Sequence, residues 1–297
     1  MSNKQADNLS SVGEVSPSVR FFPVLICLGA ILAAAVTGCG ERPMVDDVVS
    51  YVSELRRGDF LRRVTAAKEL SLSVDENDVV AVPYLIEALK VPREMYQRYS
   101  AQALGHIGCH SAIPALIQAT RDESDYVRFD AAVALGKMDD PRVHRALIEA
   151  LRDQSTYVRW AASEGLGELQ VAEAYPRVVS GLRDSSSYVR SASANALGKI
   201  GEEAAIPHLR SSLYDRNLWV RNAAARALAR LGDNSGIPVL IRNLESTARE
   251  RDQMVREQAD EFLREVTGEN FGFDPQGTDA ERQEAIRRWE SWWRARN

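Results

Sequence analysis

Five prolines, Pro83, Pro114, Pro176, Pro207 and Pro238, stand on one 31-residue grid, with Arg145 in its vacant slot. A fixed period of this length constrains a chain more than composition does. Each unit is one supersecondary element that can bury its apolar face only against its neighbours. Four blocks repeat in a common register: DESDYVRFDAAVALG from Asp122, DQSTYVRWAASEGLG from Asp153, DSSSYVRSASANALG from Asp184 and DRNLWVRNAAARALA from Asp215.

Each unit holds two helices. The proline suits a first helical turn, whose N–H groups have no intrahelical acceptor, and so marks the start of helix A. Apolar residues then recur at helical spacing, as at Leu116, Ile117, Leu147 and Ile148. A polar turn, Arg121 to Ser124, precedes helix B, which is expected to begin near Val127 and to carry a small-residue face at Ala131, Ala132, Leu135 and Gly136. Gly108, Gly201 and Gly232 follow helix B in matching register, as C-cap residues do, with Asp139 and Gln170 in that slot elsewhere. Asp122, Asp153, Asp184 and Asp215 fall at the inter-helix turn, where a carboxylate can accept from free helix-B N–H groups. Arg128, Arg159, Arg190 and Arg221 come six residues later.

Proline, Asp-x5-Arg and Ala-Ala-x-Ala-Leu-Gly in one unit resemble the HEAT-like repeats named after phycobilin lyases, across residues 45–268. The resemblance implies an all-α fold, a right-handed α-solenoid of two-helix repeats. It implies that each arginine reaches a neighbouring repeat's aspartate, so that Asp122, Arg128, Asp153, Arg159, Asp184, Arg190, Asp215 and Arg221 form a structural ladder. A charge pair repeated four times is scaffold, because an active site is singular. The resemblance also implies that helix B lines the concave side. Tyr126, Tyr157, Tyr188 and Trp219 then form one column, flanked by Phe129, Trp160, Ser191 and Asn222. Amphipathic rings in a groove are good anchors for a protein or glycan; the competing reading has them cover the turns between repeats. Tyr126, Phe129, Tyr157, Trp160, Tyr188 and Trp219 are the candidate partner-binding residues. Phe129, Trp160, Val133, Glu164 and Arg226 change type between repeats and are specificity candidates.

The ends depart from the pattern. Around residues 45–74 Arg63 and Ala66-Ala67 align without a proline, Gln97 replaces the ladder arginine, and a four-residue insertion precedes Met254-Val255-Arg256. Residues 269–297 form a capping segment: Thr278 to Glu281 is a capping-box pattern, and Ile286, Trp289, Trp292 and Trp293 are expected to fold back over the last repeat.

Residues 1–38 read as a lipoprotein-type signal peptide, with Phe21 to Val36 as its 16-residue apolar run. Val36-Thr37-Gly38-Cys39 resembles the lipobox of bacterial lipoproteins, which implies acylation of Cys39 and cleavage before it. An ordinary signal or a signal anchor is the competing reading. Residues 39–44 would be a lipidated tether, placing the chain in the bacterial cell envelope, on the periplasmic or outer side, held to the bilayer through Cys39. Only Cys109 would then remain as a thiol, so no internal disulfide is available. Arg56, Arg57, Arg62 and Arg63 lie near this anchor, within reach of anionic headgroups or as a solvated charged face.

A net charge of −5 argues against a nucleic-acid partner. His106 and His110 are four apart with Cys109 between them, but Gly105 and Gly108 argue against a rigid pair and no third ligand is evident nearby, so no metal site is expected. The His-Glu pairs of iron-carrying HEAT hydroxylases are missing, as are P-loop and nucleophile-elbow motifs, and no cofactor is expected. The resulting expectation is a membrane-anchored extracytoplasmic scaffold or adaptor that binds an unidentified protein partner through the concave helix-B face. The alternative is an accessory or catalytic HEAT-like subunit, lyase-like or oxidoreductase-like, acting on a cofactor or tetrapyrrole.

Overall fold

The computed structural model describes residues 46–73, 79–245 and 250–296. The signal peptide, the tether and Cys39 lie outside the described residues. Within them the chain is an all-α solenoid without strands. The first hairpin is α1 (Asp46–Arg57) and α2 (Phe60–Ser73), and the second α3 (Val82–Leu89) and α4 (Glu94–Ile107). The central pairs are α5 (Ile113–Ala119) with α6 (Asp125–Leu135), and α7 (Pro141–Ala150) with α8 (Thr156–Glu168). Then come α9 (Tyr175–Gly181) with α10 (Ser187–Ile200), and α11 (Ile206–Ser212) with α12 (Leu218–Arg230). The last pair is α13 (Ile237–Asn243) and α14 (Glu250–Thr267), closed by α15 (Asp279–Arg294).

The grid prolines occupy the second position of α3, α5, α9, α11 and α13, where a missing N–H costs nothing. The slot held by Arg145 is different. There α7 starts three residues earlier than the grid implies, at Pro141, because the Asp140 side chain accepts from the Arg142 N–H and caps the new start. Helix B also starts earlier than Val127: in α6 the N-cap is Ser124 and the first helical residue Asp125. Gly108 and Gly201 end α4 and α10 in the left-handed conformation, at φ 67° and 83°, which costs glycine nothing, and Gln170 adopts the same conformation under strain at φ 51°.

The two layers are not packed equally. Consecutive B helices meet along much of their length, whereas A helices touch only sparsely. Small residues permit this approach: a Cβ on Gly198 would stand 2.7 Å from Ala227 Cα, and one on Gly105 2.7 Å from Ala134 Cα. A stack whose B layer is more closely spaced than its A layer curves towards the B layer, which makes the B face the inner one. Behind it a continuous core runs from Val48 to Trp289, with Val127, Val158 and Val220 fully buried at equivalent positions. The C-terminal segment caps this core. The Thr278–Glu281 capping box starts α15, Trp289 is wholly buried, and Phe271 meets its ring edge-on at 4.6 Å. Trp292 and Trp293 pack half-buried beside it.

Candidate functional site

The inner face is held in shape by the polar ladder at the A–B turns. Arg128 donates through Nε and Nη2 to Asp153 at 2.8 and 3.0 Å, and Arg159 does the same to Asp184. Arg190 repeats the arrangement with Asp215 at 2.7 and 3.0 Å. The third nitrogen of each fork donates to main-chain carbonyls of the arginine's own turn, as Arg190 Nη1 does to Asp184 O at 2.9 Å. Each aspartate accepts in addition from the N–H two residues on, at Ser124, Ser155, Ser186 and Asn217. That donor belongs to the N-cap residue rather than to the first turn of helix B. Burial alone would raise the Asp184 and Asp215 carboxyls; the facing guanidinium and this N–H hold both below the usual carboxylate range. At the first rung Gln97 stands in for arginine and donates to Asp122 at 2.7 Å.

The last rung changes chemistry. Arg221 meets the neutral amide of Asn243, at 3.0 Å from Nη2, and burial lowers its pKa. Asn243 donates onward to Asn222 at 2.6 Å, and Asn222 to the Val255 carbonyl at 3.1 Å. Asn222 is therefore fully buried and takes no part in the inner surface it was expected to flank. Arg226 is likewise committed: its guanidinium lies 4.3 Å from the Phe262 ring centroid and 2.6 Å from Glu265. Both residues differ from their equivalents because α14 is docked through them.

The aromatic column stands on the inner face just outside the ladder. Tyr126, Tyr157 and Tyr188 are 49%, 59% and 71% exposed, so their rings do not seal the turns. Phe129 stacks on Trp160 at 6.1 Å with planes 20° apart, and meets Tyr157 edge-on at 6.3 Å. Trp160 continues into a groove of about 650 Å³ that it lines with Glu164, Tyr188, Ser191, Trp219 and Met254. Tyr126 sits apart from this cluster, beneath the Arg98 guanidinium at 4.9 Å. Burial raises the Glu164 carboxyl in the groove, and Lys199, at 4.0 Å, opposes the shift. Two members of the column go unnoticed in the aromatic pattern: Met95 and Met254 occupy the tyrosine station of the flanking repeats and are exposed. Register alone would have found them, the second after allowing for the four-residue insertion.

Cys109 is buried, with Sγ 3.2 Å from Ser111 Oγ. Among the described residues no three His, Cys, Asp or Glu side chains group as a metal ion would need. No helix among them is long and apolar enough to cross a membrane.

Residues 82–153 and 144–217 match the HEAT-repeat family, and residues 220–246 match the PBS lyase HEAT-like repeat. The chain is a HEAT-repeat protein. Solved structures that share its architecture include the following two. One is the complex of CpcE and CpcF of phycocyanin lyase from Nostoc sp. PCC7120, at 21% identity and TM-score 0.50, covering 85% of this chain and 96% of that one. The other is YibA of E. coli, at 20% identity and TM-score 0.50, covering 94% and 99%. At such identities the likeness is one of fold. No curated protein matches this HEAT-repeat protein in sequence.

Proposed function

We propose that this HEAT-repeat protein is an adaptor, tethered to a bacterial membrane outside the cytoplasm through Cys39, that holds an extended segment of a partner protein along its inner face. One observation carries the binding part. Six successive repeats present a large apolar residue at the same inner station: Met95, Tyr126, Tyr157, Tyr188, Trp219 and Met254. Five of them are among the exposed large apolar side chains, and Trp219 lines the groove. A side chain that only closes a turn has no reason to stay in water once per repeat. One that awaits a partner does. Tyrosine and tryptophan suit the task, being rigid and amphipathic. The charges deeper on this face already pair across repeats, Arg98 with Asp130 and Lys199 with Glu168, so the unsatisfied surface is the aromatic one.

The test is co-purification from native membranes with the wild-type chain and with Tyr157→Ala/Trp160→Ala. The double change removes two rings from the inner face and leaves the ladder intact. Loss of a specific partner at unchanged circular dichroism is expected; equal recovery would refute the groove assignment. Separately, Cys39→Ser should release the chain from the membrane fraction or change its processed mass, and an unaltered fraction and mass would refute the lipid anchor.

The likeness to the phycocyanin lyase complex favours a second reading, a subunit that handles a tetrapyrrole in the Trp160–Trp219 groove. Visible absorbance that co-elutes with the purified chain and disappears in the double variant would support it.

A further inference from the structure

We propose that the turn between α1 and α2 is a docking tip for an anionic bilayer surface, with Phe60 and Leu61 entering the interface and Arg56, Arg57 and Arg62 gripping lipid phosphates. The inference rests on the tethered reading given above. Its ground is a contrast between the two ends of the stack. The end of a solenoid is expected to turn a polar face outward, and the C-terminal end complies by burying Trp289 under its own cap. At the N-terminal end the exposed B-helix station, held by Leu61 in the register of Arg63, is doubled by a second apolar residue, Phe60. Phe60 is 51% exposed and Leu61 74%, side by side at the tip of a hairpin.

Their surroundings are basic. Residues 54–63 hold Arg56, Arg57, Arg62 and Arg63 against Glu54 and Asp59, two charges positive in a chain whose total is −5. Arg93 adds a fifth guanidinium, 5.6 Å from the Phe60 ring centroid. Arg56 and Arg57 close α1, where a helix C-terminus favours cations. That accounts for two arginines and for neither apolar residue. Arg62 meets Glu54 and Asp59 only at 4.0 and 3.9 Å, in solvent, and is free to exchange them for phosphate. Apolar side chains ringed by arginines are the chemistry of an interfacial contact with anionic lipid, each cation near the surface contributing about fivefold in binding.

The chain outside the described residues ends in the right place. From Cys39 to Asp46 an extended tether spans at most about 25 Å, while α1 carries the tip about 18 Å from its own start. A lipid anchor at Cys39 therefore leaves enough slack for the far end of α1 to lie on the same leaflet. The inner groove would then open beside the membrane, with the Trp289 cap distal.

The experiment uses the full chain in vesicles of brominated phosphatidylcholine, with and without one-third phosphatidylglycerol. Leu61→Trp supplies the reporter, and the wild-type emission is subtracted. Flotation reads the tether and bromine quenching reads the tip. The expected result is flotation with both lipids, and quenching of the new tryptophan only when phosphatidylglycerol is present. Arg56→Gln/Arg57→Gln/Arg62→Gln should lower the docking equilibrium constant about 100-fold, so that quenching falls, while flotation persists. Flotation without quenching in phosphatidylglycerol overturns the tip and leaves the tether standing. No flotation overturns both. Quenching that is equal in phosphatidylcholine, or that survives the triple change, overturns the role of the arginines. A reporter emission that shifts with protein concentration rather than with lipid assigns the tip to a second copy of the chain and overturns the proposal.

Discussion

Replacing Arg190 by Met tests whether the ladder is scaffold and whether its cost can be reasoned from geometry. The change keeps an apolar stem and removes four donors: two to Asp215, at 2.7 and 3.0 Å, and two to the carbonyls of Asp184 and Ser185, at 2.9 and 3.1 Å. Only 7% of the Arg190 side chain and 13% of that of Asp215 reach solvent, so the orphaned carboxylate is poorly hydrated. Breaking such a pair from one side costs about 3–5 kcal/mol. Asp215 keeps the Asn217 N–H at 2.8 Å, which points to the lower end, about 3 kcal/mol. Arg221→Met is the internal control: its acceptor Asn243 is neutral and no charge is left behind, so about 1 kcal/mol is expected. Urea unfolding followed by circular dichroism gives the totals. Hydrogen exchange locates the loss, which should fall on α10, α11 and α12, because each repeat is held only by its neighbours. The pH dependence has a definite sign. The folded pKa of Asp215 lies below its unfolded value, near 3.9, so its contribution is present above that pH and vanishes as pH falls through the folded value. The gap between wild type and Arg190→Met should be full at pH 7 and narrow as pH falls below about 4, towards what the two carbonyl bonds contribute. A gap under about 1 kcal/mol, an equal loss in Arg221→Met, or a gap unchanged at low pH would refute the reasoning.

Gly198→Val should force apart α10 and α12, since its Cβ falls 2.7 Å from Ala227 Cα; a loss of about 1–3 kcal/mol is expected in thermal unfolding. Trp289→Ala removes a wholly buried ring and should cost about 3–5 kcal/mol locally. Limited proteolysis would then cut within α15 while exchange in α6 and α8 stays at the wild-type level. Asp260→Asn should stabilise the chain at neutral pH, because burial raises this carboxyl against the opposing pull of Arg264 and the Trp289 indole. A folded pKa above the unfolded one makes the gain absent below about pH 4 and full at neutrality, which melting curves across that range would check.

The fold was legible because every packing requirement is stated several times. Val127, Val158, Val189 and Val220 recur in register, all are buried, and the Asp and Arg columns recur and are hydrogen-bonded across repeats. Repetition does not say which recurring residue is packed and which is presented. Tyr126, Tyr157 and Tyr188 recur as faithfully as the valine one position later, yet they stand in water. That difference depends on where each side chain points off helix B, and it emerged only with the burial. Pro141 was illegible for another reason: a local cap by Asp140 shifted one helix start off a grid that the other prolines obey.

Departure from the repeat proved an unsafe guide to function as well. Asn222 and Arg226 vary from their equivalents, and each varies to solve a packing problem at the C-terminal end. Arg221 meets Asn243, three residues before the register position of a ladder aspartate; the Asn243 amide must itself be satisfied, and Asn222 accepts from it and donates to the Val255 carbonyl. Arg226 faces Phe262 and Glu265 of α14 for the same reason. Phe129, Trp160 and Glu164 vary without docking the C-terminal helices, although the two rings stack on each other and Glu164 faces Lys199. They stand where the B layer is regular, and Trp160 and Glu164 line the groove directly. A variable residue on this fold therefore informs about a partner only when no packing problem at an end of the stack accounts for it. By that criterion Trp160 and Glu164 are the pair whose exchange for another repeat's residues, Ser191 and Asn195, should change what the groove holds while leaving the solenoid unchanged.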